Sequence, residues 1–260
     1  MPEIHPSAIV SERARLAEDV SVGPFSIIDA GVEIGPGSVI GAHAWITGSS
    51  QLGKNNTVGY GTIIGADPQD TSFKVETGSN VEIGDDNSIR EYVTIHRSAA
   101  EGGSTSVGHS NFLMTGVHLA HDVQMGSHNV LANNVLVAGH VKMADHVFLG
   151  GGSAFHQFIH IGQYAIVQGN AVVSRDVPPY CIGHGRNELA GLNVIGLRRG
   201  GFTAEERADI KRAYQLLFRS GGNMSESLAE ADKSTWTEVA KHLLHSARHS
   251  SRKGMMSRSS

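Results

Sequence analysis

Residues 21–46, SVGPFSIIDAGVEIGPGSVIGAHAWI, place an aliphatic residue at every sixth position. These positions are Val22, Ile28, Ile34, Ile40 and Ile46. An amphipathic helix repeats its apolar residues every three or four positions, and a half-buried strand alternates them. A period of six fits neither. It indicates a parallel β-helix, in which each hexapeptide forms one side and three sides close a coil.

The same period runs through most of the chain. The apolar series covers residues 4–64, 83–95 and 107–173. Its two interruptions, GADPQDTSFKVETGSNV and HRSAAEGGSTS, predict loop excursions near residues 65–82 and 96–106. The frequent glycine, asparagine and aspartate residues suit corners where a positive φ is required. We therefore predict a hexapeptide-repeat solenoid over residues 1–183, with inward side chains stacked 18 residues apart.

The periodicity changes after Pro178 and Pro179, which cannot donate to a strand ladder. Residues 184–249 are predicted to form a linker and a small C-terminal α-helical domain. Its first helix follows a capping box at Thr203 and Glu206, and a second helix is expected in TWTEVAKHLLHSARH. The polar tail, residues 250–260, is predicted to be disordered.

Composition excludes several classes of protein. The net charge of −4 gives no broad attraction to nucleic acid, so no nucleic-acid partner is expected. The single cysteine, Cys181, excludes an internal disulfide framework and is typical of a reducing compartment. No apolar run approaches the roughly 18 residues needed for a membrane span, and MPEIHPSAIV lacks the features of a signal peptide. We expect a cytoplasmic protein.

The 18-residue coil also predicts which polar residues meet. His121, Gly139 and Gln157 should stack on three successive coils, with Asp122 and His140 in the next column. Two further histidines flank these columns, one beside the inward Leu119 and one beside Gln157; they are His118 and His156. The predicted fold therefore gathers four histidines on one edge of the solenoid.

Three interpretations of this cluster are open. A histidine at a corner is often a polar residue without a functional role, which is the simplest account of His128 and His146. A metal site needs three or four ligands, and no cysteine or carboxylate cluster accompanies these histidines, so we expect no metal. Acid–base chemistry needs one imidazole and a partner that fixes its tautomer. His121 and Asp122 supply both if the corner brings these adjacent side chains together.

The chain also resembles a known family, the UDP-N-acetylglucosamine acyltransferases that begin lipid A biosynthesis. The resemblance extends to about residue 221. It rests on DPQD at 67–70, IREYVTIHR at 89–97, HLAHD at 118–122, NNVLVAGHV at 133–141, FHQF at 155–158, DVPPY at 176–180 and GLNVIGLRRGGF at 191–202. It implies a left-handed solenoid, whereas the general preference for right-handed crossovers would give the opposite hand.

The resemblance further implies a homotrimer with active sites between neighbouring solenoids. A hydroxyacyl chain would pass from acyl carrier protein to the 3-hydroxyl of UDP-N-acetylglucosamine without a cofactor. In that scheme His121 is the general base, Asp122 orients it, and the Gly139 N–H stabilises the oxyanion. Other residues match substrate contacts of the family. They are Gln69, Asp70, His96, His118, His140 and Gln157 for the sugar, with His156 in the same pocket; Asn193 and Arg199 for the nucleotide; Lys74 for a phosphate; and Gly169 at the floor of the acyl pocket.

The sequence departs from the family at the nucleotide end. Ile195 stands where relatives often carry a carboxylate, and Gly200 where they carry a second basic residue. Lys74 lies one residue further from Asp70 than in some relatives. Four alternatives stay open: transfer to the 3-amino analogue of the sugar, the sister N-acyltransferase, a trimeric metalloenzyme of carbonic anhydrase type, and a non-catalytic scaffold.

Overall fold

The computed structural model describes residues 1–257, which form a long solenoid of short strands followed by four helices. The strands are β1 (Glu3–Ile4), β2 (Ile9–Val10), β3 (Arg15–Leu16), β4 (Ser21–Val22), β5 (Ile27–Ile28), β6 (Glu33–Ile34), β7 (Val39–Ile40), β8 (Trp45–Ile46), β9 (Gln51–Leu52), β10 (Thr57–Val58), β11 (Ile63–Ala66), β12 (Asn80–Ile83), β13 (Ser88–Ile89), β14 (Thr94–His96), β15 (Ser104–Val107), β16 (Phe112–Leu113), β17 (His118–Leu119), β18 (Gln124–Met125), β19 (Val130–Leu131), β20 (Leu136–Val137), β21 (Lys142–Met143), β22 (Phe148–Leu149), β23 (Ala154–Phe155), β24 (His160–Ile161), β25 (Ile166–Val167), β26 (Val172–Val173), β27 (Cys181–His184) and β28 (Glu188–Leu192). The helices are α1 (Val194–Arg199), α2 (Ala204–Arg219), α3 (Met224–Ala231) and α4 (Glu238–Arg248).

Along the solenoid, each strand pairs in parallel with the strand three places later, which builds three sheets around one core. The first sheet starts with β1 and β4, the second with β2 and β5, and the third with β3 and β6. Uninterrupted coils pair residues 18 apart, as in Glu3 with Ser21. From β4 onward, the second residue of each two-residue strand is buried, and Ile28, Ile46 and Leu119 are almost fully so. Burying such an aliphatic side chain contributes about 1.5–3 kcal/mol, so the stacked column carries most of the core.

The outward residues differ between the sheets. The third sheet shows polar side chains to solvent, such as Glu33, Gln51 and Lys142. The second sheet exposes large apolar side chains instead, including Trp45 and Leu136. The first sheet also exposes apolar residues, namely Val39 and Phe148. Two of the three outer faces are therefore unusually apolar for surfaces facing water.

The two loop excursions interrupt the coils between β11 and β12 and between β14 and β15. The corresponding registers widen, so that Ile64 pairs with Ile95 and Ile83 with Val107. The regular corners between strands require left-handed backbone at their third residue, as in Phe25 with φ 59°. A non-glycine residue in that region costs about 1–2 kcal/mol, which the regular packing of the coils offsets.

The helical region has four helices where the sequence predicted two. The capping box at Thr203 and Glu206 is present and begins α2. Two short helices, α1 and α3, were not expected; α3 begins with its own capping box, Asn223 with Glu226, which is a signal that the sequence contained. Helices α2 and α4 pack around buried Leu243, with the Arg212 guanidinium 3.9 Å from the centroid of the Trp236 ring.

The structure corrects the expected disorder for residues 250–257, while residues 258–260 lie outside the described chain. Met255 forms a parallel bridge with Asp176, and Met256 is fully buried. The physical reason is the buried Asp176 carboxylate, which accepts hydrogen bonds from the Ser251 N–H (2.5 Å) and hydroxyl (2.7 Å). A buried charge requires such donors, and the tail supplies them.

Candidate active site

The corner between the second and third sheets carries the predicted cluster. Asp122 and His140 occupy the third corner position on successive coils, with φ values of 61° and 60°. This left-handed turn redirects the chain, so that the adjacent side chains of His121 and Asp122 meet. His121 Nδ1 lies 2.7 Å from Asp122 Oδ2. The corner thus forms the imidazole–carboxylate pair that two neighbours on a straight strand would not form.

The Asp122 carboxylate is held by the second loop excursion. The Ser98 hydroxyl donates to Oδ1, and the Ala99 N–H donates to Oδ2 at 3.2 Å. Burial by itself raises the pKa of the Asp122 carboxyl, but the hydrogen bonds from Ser98, His121 and Ala99 outweigh burial, and the pKa is lowered. Asp122 therefore remains a carboxylate, fixed in direction by three donors.

Gly139 provides the space in which the His121 imidazole lies. A Cβ atom at residue 139 would lie 2.7 Å from His121 Cε1 and 2.8 Å from Nε2. The equivalent second position of other corners holds Pro24 and Pro36, which shows that the ladder requires no N–H at this position. Accordingly, within residues 1–257 the Gly139 N–H donates to no protein acceptor. Gly139 therefore has an uncommitted N–H and lies next to the His121 ring.

His96, one coil earlier, and His118, on the same coil as His121, form a second imidazole pair. Their rings meet edge to face with centroids 5.0 Å apart, and His118 Nδ1 lies 2.7 Å from Thr94 Oγ1. Burial, followed by the nearby charges of His118 and His121, lowers the pKa of His96 to about 4. Burial and His121 likewise lower the pKa of His118. Both rings are therefore neutral near pH 7 and suit hydrogen bonding to a neutral ligand.

A cleft of about 800 Å³ opens beside these groups. His118, His121 and Gly139 line it, and Gln69 reaches it from the first loop excursion. Part of its wall is apolar, with Leu136, Val137, Phe155 and Val172. A polar end beside an apolar wall suits a ligand with both a polar head and a hydrocarbon chain.

The remaining cluster residues lie around this cleft. His140 packs edge to face on His121 (5.1 Å between centroids) and stacks on Phe158 (4.5 Å). His156 and Gln157 are exposed on the next coil and line the cleft. Asp70 accepts hydrogen bonds from the Ser72 N–H and hydroxyl, which lower the pKa of the Asp70 carboxyl, and the charges of His121 and His140 lower it further.

Comparison with known proteins agrees with this geometry. The family described as bacterial transferase hexapeptide (six repeats) matches residues 13–48, and the family described as UDP N-acetylglucosamine O-acyltransferase, domain 2, matches residues 176–256. A relative from Syntrophobacter fumaroxidans named acyl-[acyl-carrier-protein]–UDP-N-acetylglucosamine O-acyltransferase is 42% identical over 87% of this chain and 88% of its own. A relative of the same name from Myxococcus xanthus is 42% identical over 88% of this chain and 89% of its own.

The chain belongs to the UDP-N-acetylglucosamine O-acyltransferase family. Solved structures agree with this. The acyltransferase from Francisella novicida has a TM-score of 0.91 at 38% identity and covers 98% of this chain and 94% of its own. That from Campylobacter jejuni has a TM-score of 0.92 at 32% identity and covers 99% and 100%. The predicted left-handed parallel β-helix with a small helical domain is confirmed.

Three residues that match the family's pattern are not at this corner. Asn193 begins α1, where its side chain accepts from Gly196 N and donates to the Tyr164 carbonyl at 2.9 Å. Arg199 ends the same helix, which follows β28 at the end of the first sheet. Gly169 lies between β25 and β26, on the corner between the first and second sheets. Within one chain, these three residues are therefore distant from His121.

The structure explains one of the positions at which the sequence departs from the family, Gly200. A Cβ atom on Gly200 would lie 2.7 Å from the Tyr164 ring, so a side chain there requires Tyr164 to move. Ile195 is exposed on α1. Lys74 lies on the first loop excursion, in the segment that also carries Gln69 and Asp70.

The groups that position the His121–Asp122 pair were not predictable from the sequence. Ser98 and Ala99 hold the Asp122 carboxylate, and Thr105 Oγ1 accepts the Asp122 N–H at 2.8 Å. These residues lie in or next to the second interruption, where the hexad period gives no register. The one available signal was the low-complexity polar stretch itself, next to HR in the IREYVTIHR motif.

Proposed function

We propose that this protein transfers a (3-hydroxy)acyl chain from acyl carrier protein to the 3-hydroxyl of UDP-N-acetylglucosamine, the first step of lipid A biosynthesis. The observation that carries the proposal is the His121–Asp122 pair next to Gly139, in a cleft of a chain that belongs to this family. No cofactor takes part, because the thioester is already activated.

His121 is the general base in this proposal. Asp122 remains ionised and accepts a hydrogen bond from the His121 Nδ1–H, which leaves the Nε2 lone pair free. Cε1 and Nε2 are the ring atoms closest to the Cβ position of Gly139, and His121 lines the cleft where the sugar hydroxyl would bind. A positioned base of this kind contributes about 10²–10⁴ in rate.

The reaction is a direct acyl transfer. The sugar oxygen attacks the thioester carbonyl carbon while its proton passes to His121 Nε2. The tetrahedral oxyanion accepts a hydrogen bond from the Gly139 N–H, and such a donor lowers the barrier by roughly 3 kcal/mol. The C–S bond then breaks, and the thiolate of the carrier takes the proton from the imidazolium. The products are an ester and a free thiol.

The remaining site residues bind substrate in this proposal. The sugar lies against the neutral imidazoles and the first loop excursion, through His96, His118, His140, His156, Gln157, Gln69 and Asp70, with Lys74 near a phosphate. The nucleotide contacts Asn193 and Arg199, because arginine binds phosphates with two parallel hydrogen bonds. Gly169 lies at the floor of the acyl pocket.

These contacts require a second copy of the chain. Asn193 and Arg199 follow the first sheet, which lies across the core from the corner that carries His121. The exposed apolar side chains of the first and second sheets supply faces for the contact, among them Ile9, Val39, Trp45, Leu136, Phe148 and Val172. A homotrimer that pairs the first sheet of one copy with the second sheet of the next would complete each cleft.

We assign the reaction to the cytoplasm. The single cysteine is free and buried, and burial raises its pKa, so Cys181 is suited to neither a disulfide nor catalysis. Within residues 1–257, none of the helices has the length and apolar character of a membrane span.

The test is acyl transfer from a panel of hydroxyacyl carrier proteins to UDP-N-acetylglucosamine. Wild type and His121→Ala are compared as purified trimers with equal thermal stability. Transfer that falls by about 10³-fold in the variant supports the proposal. An equal rate in both proteins contradicts the base assignment. Transfer only to the 3-amino sugar nucleotide assigns the protein to that alternative.

One observation favours a second candidate, a metalloenzyme of carbonic anhydrase type. Ligand atoms of His121, Asp122 and His140 all lie within 4.8 Å of one another. A metal would compete with the proton on His121 Nδ1 for the same carboxylate. Metal analysis separates the two candidates: stoichiometric zinc and activity lost on chelation favour the metalloenzyme, and full acyl transfer by zinc-free protein contradicts it.

A further inference from the structure

Two consecutive residues, Arg97 and Ser98, lie where the second loop excursion leaves β14. Arg97 is 8% exposed and Ser98 is fully buried. Their side chains point to different parts of the proposed site. Arg97 contacts the first loop excursion, whereas Ser98 contacts the Asp122 carboxylate.

Arg97 holds the first excursion on both sides of its substrate-binding segment. Its Nε donates to Asp67 Oδ1 at 2.9 Å, before Gln69 and Asp70. One terminal nitrogen donates to the Val75 carbonyl at 3.0 Å, and the other donates to the Thr77 carbonyl, both after that segment.

The guanidinium also lies 4.9 Å from the Phe73 ring centroid, inside the same segment. The flat fork of arginine can make these contacts at once, whereas a lysine ammonium is a single point charge. Removing Arg97 would leave two loop carbonyls and Asp67 without this donor, so residues 67–77 would lose their common anchor.

Ser98 directs its side chain to the Asp122 carboxylate rather than to the first excursion. Its hydroxyl donates to Asp122 Oδ1 and accepts the Ala100 N–H at 3.0 Å. Its carbonyl accepts the Ser79 hydroxyl at 2.6 Å, and Ser79 Oγ also accepts from Arg97 at 3.3 Å. The two residues are therefore part of one hydrogen-bonded unit that joins the first excursion to the carboxylate beside His121.

We propose that Arg97 and Ser98 are positioning residues with separate duties. Arg97 sets the place of the segment that carries Gln69 and Asp70, and so controls binding of the sugar nucleotide. Ser98 fixes the Asp122 carboxylate, and so controls the orientation of His121 during proton transfer. This inference rests on the proposed acyl transfer, and neither residue touches the substrate.

Steady-state kinetics of two variants test the separation. Arg97→Lys is expected to raise KM for the sugar nucleotide about tenfold with kcat within about threefold of wild type, because it loosens a binding loop. Ser98→Ala is expected to lower kcat about tenfold with KM within about threefold, because it frees the group that orients the base.

Matched controls separate these effects from general loosening. Ser38→Ala removes another fully buried serine hydroxyl, one that donates to the Gly53 carbonyl far from the cleft. Arg90→Lys alters an arginine whose side chain pairs with its neighbour Glu91. Both controls should keep wild-type KM and kcat. If Arg97→Lys and Ser98→Ala change KM and kcat in the same proportion, the separate duties are wrong.

Hydrogen exchange gives a readout that does not need activity. Arg97→Lys should speed amide exchange at least about tenfold in residues 67–79 and leave the coils protected. Ser98→Ala should speed exchange in residues 98–103 instead. This pattern would support the inference even if wild type failed to transfer an acyl chain, an outcome that would contradict the proposed function alone. Faster exchange throughout the solenoid would show a purely structural role and overturn the inference.

Discussion

Two corners of the solenoid stack histidines, and they differ in what the histidine rings contact. At the corner between the third and first sheets, His128 and His146 lie face to face, 4.9 Å apart and 6° from parallel, and His146 stacks on Tyr164 at 4.6 Å. At the corner between the second and third sheets, His121 and His140 meet edge to face at 89°. The first arrangement covers ring faces, whereas the second leaves ring nitrogens to contact Asp122.

The difference comes from outside the coils. Both corners use the left-handed third position, with φ 57° at His146 and 60° at His140. Only the second corner has a loop excursion beside it, and that loop brings Ser98 and Ala99 to the Asp122 carboxylate. A histidine on a repeat becomes a candidate base when an irregular segment fixes its partner.

The largest expected effect compares the carboxylates of the two corners. Asp122→Asn is expected to lower kcat about 10³-fold, because the carboxamide N–H₂ can donate to Nδ1 and move the His121 proton to Nε2. Asp145→Asn is the matched control. Asp145 accepts the Ser127 N–H at 2.7 Å beside His146, and the Asn oxygen keeps that bond. Acyl-transfer kinetics should find the control within about twofold of wild type. Equal losses in the two variants would remove the distinction between the corners.

The next effect concerns the glycine under the imidazole. Gly139→Ala is expected to lower kcat about 10²-fold, because the new Cβ displaces the His121 ring and small misplacements at a reacting centre are costly. If the loss arises through the imidazole, adding Gly139→Ala to His121→Ala should change kcat little further. Additive losses in this double-mutant cycle would instead assign an independent effect to the backbone at residue 139.

Much of the fold was predictable because an aliphatic side chain recurs at every sixth position over long stretches of the chain. The aliphatic column from Ile4 to Ile64 predicts the stacked coils, and its gaps predict both excursions. The order of the tail was not predictable, because residues 251–257 pack on the last coil through contacts with Asp176. Such contacts between distant residues produce no periodic pattern in the sequence. Helix α3 has only eight residues, too few for an apolar stripe to be read reliably.

The site was predictable to the extent that it follows the 18-residue register. The stacking of His121 with Gly139, and of Asp122 with His140, follows from coil length alone, and the 2.7 Å contact required only the corner turn. Ser98 was not predictable, because residues 97–103 have no period. That Asn193 and Arg199 lie far from His121 within one chain was also not predictable, because sequence spacing does not tell which sheet α1 follows.

A third, smaller effect compares the same substitution at both corners. Phe25 and Phe158 occupy this left-handed position elsewhere, so phenylalanine is compatible with the backbone there. His146→Phe keeps an aromatic stack with Tyr164 and should leave kcat/KM within about twofold. His140→Phe keeps the stack with Phe158 but loses two ring nitrogens beside the cleft, and should lower kcat/KM about 10–100-fold. The same loss in both variants would show that ring packing, rather than hydrogen bonding, explains the result.

The smallest effect is on stability and concerns His96, the most deeply buried ring of the cluster. The pKa of His96 is lowered to about 4 in the folded chain, from an ordinary value of 6.5. Between these two values the unfolded chain binds a proton that the folded chain does not. Stability therefore falls as pH falls through this window, by about 2 kcal/mol between pH 7 and pH 5 for this one group. Urea unfolding at fixed protein concentration measures the change.

His96→Asn provides the comparison, since it removes the titrating ring. The difference in unfolding free energy between wild type and the variant should itself shrink by about 2 kcal/mol from pH 7 to pH 5. His146→Asn is the matched variant at the other corner, where burial and His128 lower the pKa of a more exposed ring. It should show a smaller pH-dependent change, because solvent screens an exposed charge. A change at His146 equal to that at His96 would mean that burial in the cluster is not what keeps the His96 ring neutral.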